Sequence, residues 1–406
     1  MSFLKKRKQL QIRRYVPHLV DDSPIGIYIH VPFCVHKCPY CDFYSIPTEN
    51  YNTEELYDTY TNAIITGISE TGMINSSLRV DTVYFGGGTP TLLGAERLVS
   101  ILKYIKKCFD VEENAEITVE TNPGITREAD MKALVKGGFN RVSIGVQSFS
   151  NKELVALGRI HSAEQAAETI KLCKRSGFSN ISIDLMYGIS GQSMESWGKS
   201  LTLAVAAGVQ HISLYSLTIE EGTPYGQVTP PNIPDDDTVA DMYLNAVEYL
   251  ESNGFGQYEI SNFCLNGRES RHNLKYWHCG EYLGYGPGAH SYYKDSRYSY
   301  IRDLYGYIDA MKSGNDSIID GDPELIRPKE RVGEYLMLGL RLREGINEKH
   351  FRRHYSRELA PIVKALEPYI AEGYVRVEEG SYSLTPKGFL ISNRIISDVL
   401  DAAREK

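Results

Sequence analysis

Six short runs of β-branched and aliphatic residues recur through the first half of the chain: Ile27–Val31, Asp81–Phe85, Glu116–Glu120, Arg141–Val146, Asn180–Met186 and His211–Leu217. Each ends in a polar or glycine-rich turn and leads into a stretch with apolar positions at helical spacing, as in Ala163–Ser176 and Met194–Ala207. Strand and helix in regular alternation predict an α/β fold, with a parallel sheet of six βα units curled into a partial (β/α)6 barrel. Such barrels carry their chemistry at the carboxyl ends of the strands. Beyond Gly321 the pattern changes. Glu330–Leu342 and Ala360–Glu372 are amphipathic helices, and Tyr374–Val377, Glu379-Gly380 and Tyr382–Leu384 form a hairpin before a last helix. The expected layout is an arm over residues 1–25, a barrel over 26–260, a connecting segment over 261–320 and a mainly helical, winged-helix-like domain over 321–406. Such a domain does not by itself imply DNA binding.

Composition narrows the class. With 406 residues, 42% hydrophobic and 24% charged, the chain can bury one large core and a smaller second one. No stretch approaches the roughly 20 apolar residues of a membrane span, and residues 1–15 lack the apolar centre of a secretory signal, so a cytoplasmic protein is expected. A net charge of −8 argues against nucleic acid as a partner. The run Lys5, Lys6, Arg7, Lys8, Arg13 and Arg14 is the local exception, either a solvated arm or a contact for an anionic membrane surface.

Seven cysteines are an odd number, and Cys108, Cys173, Cys264 and Cys279 are scattered in the manner of reduced thiols rather than a disulfide framework. Cys34, Cys38 and Cys41 are different: they sit together in Ile29-His-Val-Pro-Phe-Cys-Val-His-Lys-Cys-Pro-Tyr-Cys-Asp-Phe-Tyr-Ser45. A cubane iron–sulfur cluster normally takes four thiolates, so a compact triplet leaves one iron open for chemistry. A zinc knuckle is the competing reading, although structural zinc sites bring four ligands, usually in two pairs.

Polar residues coincide with the predicted strand ends. Tyr28 precedes the cysteine loop, the second strand runs into Gly86-Gly87-Gly88-Thr89-Pro90, and the third ends in Glu120-Thr-Asn-Pro123. The fourth ends in Gln147-Ser148, and the fifth carries Asp184. Glycines there let backbone approach a ligand closely, or simply make a tight turn. Glu120 and Asp184 equally suit helix caps.

The cysteine spacing resembles that of the radical S-adenosylmethionine (radical SAM) enzymes. In that family the open iron chelates the cofactor's methionine amino and carboxylate groups, and an electron from the cluster releases a 5′-deoxyadenosyl radical. The likeness sharpens with Tyr84-Phe-Gly-Gly-Gly-Thr-Pro-Thr91, Val119-Glu-Thr-Asn-Pro-Gly124, Ser143-Ile-Gly-Val-Gln-Ser-Phe149, Leu157-Gly-Arg-Ile-His161 and Asp184-Leu-Met-Tyr-Gly188. These are similar to the oxygen-independent coproporphyrinogen oxidase branch, from about Gly26 to the C-terminus. The resemblance implies a [4Fe-4S] cluster on the three cysteines and S-adenosyl-L-methionine (SAM) against Tyr28, Gly87 and Glu120. It also implies a second cofactor site, or its neighbourhood, at Tyr40, Gly88, Thr89, Gln147, Arg159 and Asp184, with Leu217 in the pocket wall.

Two departures select a member of the branch. The oxidases carry one more cysteine two residues after the third, where this chain has Phe43. Cys-Asp-Phe-Tyr-Ser is instead typical of HemW-type heme chaperones, and so is Arg271-His-Asn-Leu-Lys-Tyr-Trp277, which matches their His-Asn-x-x-Tyr-Trp signature. A neutral imidazole is a standard axial heme ligand, and Tyr276 and Trp277 offer flat surface for a porphyrin plane. His272 is the expected ligand, with His278 and Cys279 as rivals; a hydrogen-bonded structural histidine is the bland alternative. His290 and the tyrosines from Tyr282 to Tyr300 suit either core or pocket wall. The resemblance implies a heme chaperone that passes heme to apo-hemoproteins, acts as monomer or homodimer, and takes electrons from an unnamed donor. The two competing activities are oxidative decarboxylation of coproporphyrinogen III and radical methyl transfer with heme ring opening.

Overall fold

The first predicted strand begins two residues early: β1 covers Ile25–Val31, and every position except Tyr28 is buried. Burial on both faces is what a strand inside a parallel sheet requires, which is why the run is almost continuously apolar. The structure, a computed structural model, describes residues 23–49, 52–314 and 318–404. The basic run from Lys5 to Arg14 lies outside the described residues. The other five predicted strands are present as β2 (Arg79–Gly87), β3 (Asp110–Thr121), β4 (Arg141–Gln147), β5 (Ile181–Tyr187) and β6 (His211–Ser216).

The chain divides into two compact units. Of the described residues, the first takes in those up to Gly145, Gln165–Ile181 and Glu281–Leu325, and the second takes in Val146–Glu164, Ser182–Gly280 and those from Ile326. In the first unit β1, β2, β3 and β4 are successive parallel neighbours. Ala95–Cys108 covers them as an amphipathic helix, burying Leu98, Ile101, Leu102 and Ile105 at three- and four-residue spacing. The segment expected to be a connection also contributes sheet. Tyr282–Tyr285 runs parallel to β1, with Tyr28 opposite Gly284, and His290–Tyr293 and Ser296–Ser299 continue it antiparallel. Gly284 in the strand Tyr282–Tyr285 is a packing requirement. A Cβ there would lie 2.1 Å from the His290 carbonyl oxygen.

In the second unit β5 and β6 are parallel, and Asn262–Cys264 adds antiparallel to β6. The helix Met194–Ala206 opens on a capping box between Ser193 and Ser196 and buries Trp197, whose Nε1 donates to the Met242 carbonyl at 2.9 Å. Toward the C-terminus come the helices Pro328–Gly339, Glu348–Tyr355 and Ala360–Ala371, then the hairpin Val375–Glu378 and Ser381–Leu384, which Ile346–Asn347 extends to three strands. The hairpin turns at Glu379-Gly380 with φ of +49° and +78°, the positive values that suit the strand twist.

A buried carboxyl sits where the second unit's sheet meets its C-terminal segment. Glu259 bridges Leu342 antiparallel, flanked by Ile260 N–H donating to Arg341 O and Arg343 N–H donating to Tyr258 O, both at 3.0 Å. Burial pushes the Glu259 carboxyl up to about 7, against the counteracting Ser261 and Asn262 hydrogen bonds and the Arg341 charge. Between the ordinary carboxyl range and about 7 the folded chain therefore holds a proton that the unfolded chain has released. Glu259 is best tolerated at low pH, and the stability it allows is lost as pH rises through about 7. Glu259→Gln should thus match the parent near pH 4 and exceed it at pH 8 by on the order of 2–3 kcal/mol in denaturant titrations. A pH-independent difference would refute this origin.

Candidate functional site

The cysteine loop is closed by a short parallel pair, Phe33–Cys34 with Ile46–Pro47. Thr48 ties its start, donating from N and Oγ1 to the Cys34 carbonyl at 2.9 and 3.2 Å, and Cys41 N–H donates to Cys38 O at 3.1 Å. His30 anchors the far side. Burial pushes its pKa down to about 4, so the ring is neutral. One nitrogen, Nε2, donates to the Tyr44 carbonyl at 2.9 Å, which leaves Nδ1 to accept from Tyr28 Oη at 3.0 Å. Tyr44 Oη in turn accepts from Leu304 N–H at 2.9 Å.

The three thiols are close enough to act on one another. Burial raises Cys41, partly offset by a hydrogen bond from the Phe43 backbone, and the neighbouring Cys38 and Cys34 raise it further. Among the described residues, however, no three His, Cys, Asp or Glu side chains converge to hold a single metal ion. A cubane cluster takes one thiolate on each of three irons, and the three cysteines of this loop offer that donor set, whereas structural zinc sites normally bring four ligands.

The glycine turn after β2 packs directly on this loop. Gly88 N–H donates to Val31 O at 2.8 Å and Thr89 N–H to Phe33 O at 2.7 Å, while a Cβ on Gly88 would lie 2.5 Å from the Phe33 oxygen. Gly87 adopts φ of +112°, which favours glycine, and its N–H donates to Glu120 Oε2 at 3.2 Å. The other carboxylate oxygen of Glu120 accepts from Tyr84 Oη at 2.6 Å. Burial, reinforced by the Glu120 charge, pushes the Tyr28 hydroxyl far above its ordinary range, so it stays protonated. Gly87, Gly88, Thr89 and Glu120 are therefore held at the carboxyl ends of β2 and β3, with Tyr28 midway along β1 and half-buried Tyr40 in the cysteine loop. Glu120 is no helix cap, since it lies in β3 and the next helix starts after Arg127.

In the second unit, Asp184 lies inside β5 opposite Ser213 of β6, so it caps no helix either. Gln147 ends β4 with φ of +64°, a left-handed conformation that costs a non-glycine residue roughly 1–2 kcal/mol. Beside it, buried Glu153 accepts from Ser148 Oγ at 2.6 Å and Gln192 Nε2 at 3.0 Å. Strain held by a buried network is a mark of a functional position. Arg159 is half-buried after the helix Asn151–Ala156, and Leu217 follows β6, donating its N–H to Tyr187 O at 2.8 Å.

His272 lies in the helix Arg271–Trp277 at 1% exposure, its ring edge-on to Tyr276 and its Nε2 2.7 Å from Tyr276 Oη. His278, just past this helix, is exposed, and its Nε2 pairs with Glu344 Oε1 at 2.8 Å. Cys279 follows at φ of +56°. Tyr285, Tyr292 and Tyr300 are core residues, whereas His290 is exposed.

Residues 28–204 match the radical SAM superfamily, and residues 326–391 match the HemN C-terminal domain. The fold is that of the coproporphyrinogen III oxidase HemN from Escherichia coli, a radical SAM enzyme; the TM-score is 0.80 at 21% identity, covering 94% of this chain and 90% of that one. The α/β radical SAM barrel with its C-terminal domain is thus the observed architecture. The heme chaperone HemW of Haemophilus influenzae is 33% identical over 92% of this chain and 97% of its own. The chain belongs to the HemW family. The HemW proteins of Bacillus subtilis and Escherichia coli, both 32% identical, are matched over 98% of their lengths. Likeness to HemW therefore runs nearly end to end and is not confined to the superfamily barrel.

Among the residues that hold these candidates in place, the sequence did not single out His30, Tyr84, Asn122 and Glu153. Two of them carried a signal: His30 shares a strand face with Tyr28 two residues before it, and Tyr84 stands opposite Tyr28 in register. Asn122 donates to Thr89, 33 residues away, and Glu153 accepts from Gln192, 39 residues away, contacts that no local pattern marks.

Proposed function

We propose that the protein is a heme chaperone, binding heme and passing it to apo-hemoproteins, with a [4Fe-4S] cluster on Cys34, Cys38 and Cys41 and SAM beside it. Its end-to-end identity with HemW proteins carries this reading. Phe43, at 67% exposure, stands in solvent where the resembling decarboxylases bring a further cysteine. When bound, the cluster and SAM supply one-electron reductive cleavage of the sulfonium.

The residues around it bind and orient. Glu120 offers a carboxylate to the SAM ammonium, Gly87 and Gly88 give backbone access, and the hydroxyl of Tyr28 remains protonated against its His30 acceptor. Tyr40, Thr89, Gln147, Arg159, Asp184 and Leu217 complete the proposed cofactor surroundings. Heme is the cargo, and His272 is its proposed axial ligand, which requires Tyr276 Oη to give up the imidazole nitrogen. No helix among the described residues is long and apolar enough to cross a membrane. The proposal places the protein in the cytoplasm, as monomer or homodimer, served by a separate electron donor and without nucleic acid. The basic N-terminal run is its proposed contact with an anionic membrane.

Anaerobic reconstitution followed by incubation with heme, or with coproporphyrinogen III, SAM and reductant, tests the reading. Intact heme should bind with a stable Soret band that His272→Ala removes and His278→Ala retains. Protoporphyrinogen formation would make the protein a decarboxylase, and bleaching of the Soret band would make it a heme ring-opener.

A further inference from the structure

We propose that Thr89, oriented by Asn122, donates a hydrogen bond to the Cys34 sulfur and thereby raises the reduction potential of the cluster. The inference rests on the [4Fe-4S] reading above. Thr89 Oγ1 lies 3.6 Å from Cys34 Sγ, within reach of a hydroxyl-to-sulfur bond. On its other side, Asn122 Nδ2 donates to the same oxygen at 2.8 Å. An amide NH2 has only protons to give, so it occupies a lone pair of Thr89 and leaves the single hydroxyl proton to point elsewhere.

In the metal-free chain either Thr89 or the Cys34 thiol can be the donor. Once Cys34 is a thiolate on iron it has no proton, and only Thr89 can donate. The hydroxyl is also well fixed: Thr89 is 2% exposed, and its backbone N–H is bonded to Phe33 O, the residue before Cys34. Burial of Thr89 limits the access of water to its hydroxyl. A donor on a cluster thiolate withdraws electron density and stabilises the added electron, as outer contacts commonly do at metal centres. Asn122 thus acts on the cluster through Thr89, and both are positioning residues.

The test is a redox titration of the reconstituted full chain, followed by electron paramagnetic resonance, on the parent, Thr89→Val and Thr89→Ser. Valine keeps the shape and loses the donor, so the reduced-to-oxidised ratio at a fixed potential should fall by about tenfold, or roughly 59 mV for a one-electron couple. Serine should restore the parent potential. Equal potentials in the parent and Thr89→Val would overturn the proposal. Resonance Raman of the parent in D2O serves even where the valine variant takes up no cluster. An iron–sulfur(Cys) stretch that shifts on exchange supports the bond, and one that does not shift overturns it. A parent chain that assembles no cluster overturns the underlying reading and this inference with it.

Discussion

Cys34→Ala, Cys38→Ala and Cys41→Ala should each reduce reconstituted iron and sulfide to background, with loss of the cluster's visible absorbance. Three thiolates already leave one iron without a protein ligand, and a second vacancy leaves only two anchors. Two of the four remaining cysteines, Cys173 and Cys264, are buried, and burial pushes the Cys173 thiol up to about 12, away from the thiolate that iron requires. The fold should survive, because the three lie in a loop whose closure depends on backbone bonds from Thr48, Ile46 and Thr89 rather than on sulfur. Unchanged far-ultraviolet circular dichroism with iron at background is the expected pair of results. Iron retained at parental stoichiometry in any one variant would remove that cysteine from the ligand set.

The βα order was legible because a parallel strand buried on both faces must be a continuous apolar run, and a covering helix must repeat its apolar positions every three or four residues. β1 meets the first condition at every buried position but His30, and the helix Ala95–Cys108 meets the second. Tyr282–Tyr285 was illegible for the opposite reason. Its glycine admits the His290 backbone, a demand made by a neighbouring strand and invisible in local periodicity. The cysteine triplet announced itself because its three thiols are close in sequence. The contacts that hold it are not: Thr89 lies 55 residues from Cys34, and Asn122 lies 33 from Thr89. The His272 signature marked a real local structure, a helix with His272 and Tyr276 one turn apart. Which way the ring faces is set by tertiary packing, and in this structure it faces inward.

Glu120→Ala should weaken SAM binding by about 10- to 100-fold while leaving cluster and fold in place. The carboxylate already orders two groups, Tyr84 Oη at 2.6 Å and Gly87 N–H at 3.2 Å, so a cationic ammonium arriving here meets a pre-oriented anion and not a mobile side chain. A hydrogen bond to a charged group is worth about 1.5–3 kcal/mol, which converts to that range of affinity. Glu120→Gln separates charge from shape. Its amide oxygen can still accept from Tyr84 or Gly87, so the turn after β2 keeps its form, yet the attraction for a cation is lost. Equilibrium binding to the reconstituted protein should therefore rank the parent first, with glutamine and alanine both well below it. Stability should fall more in alanine than in glutamine, since only alanine strands a buried Tyr84 hydroxyl without this partner. Parental SAM affinity in Glu120→Gln would show that the carboxylate serves the turn and not the cofactor.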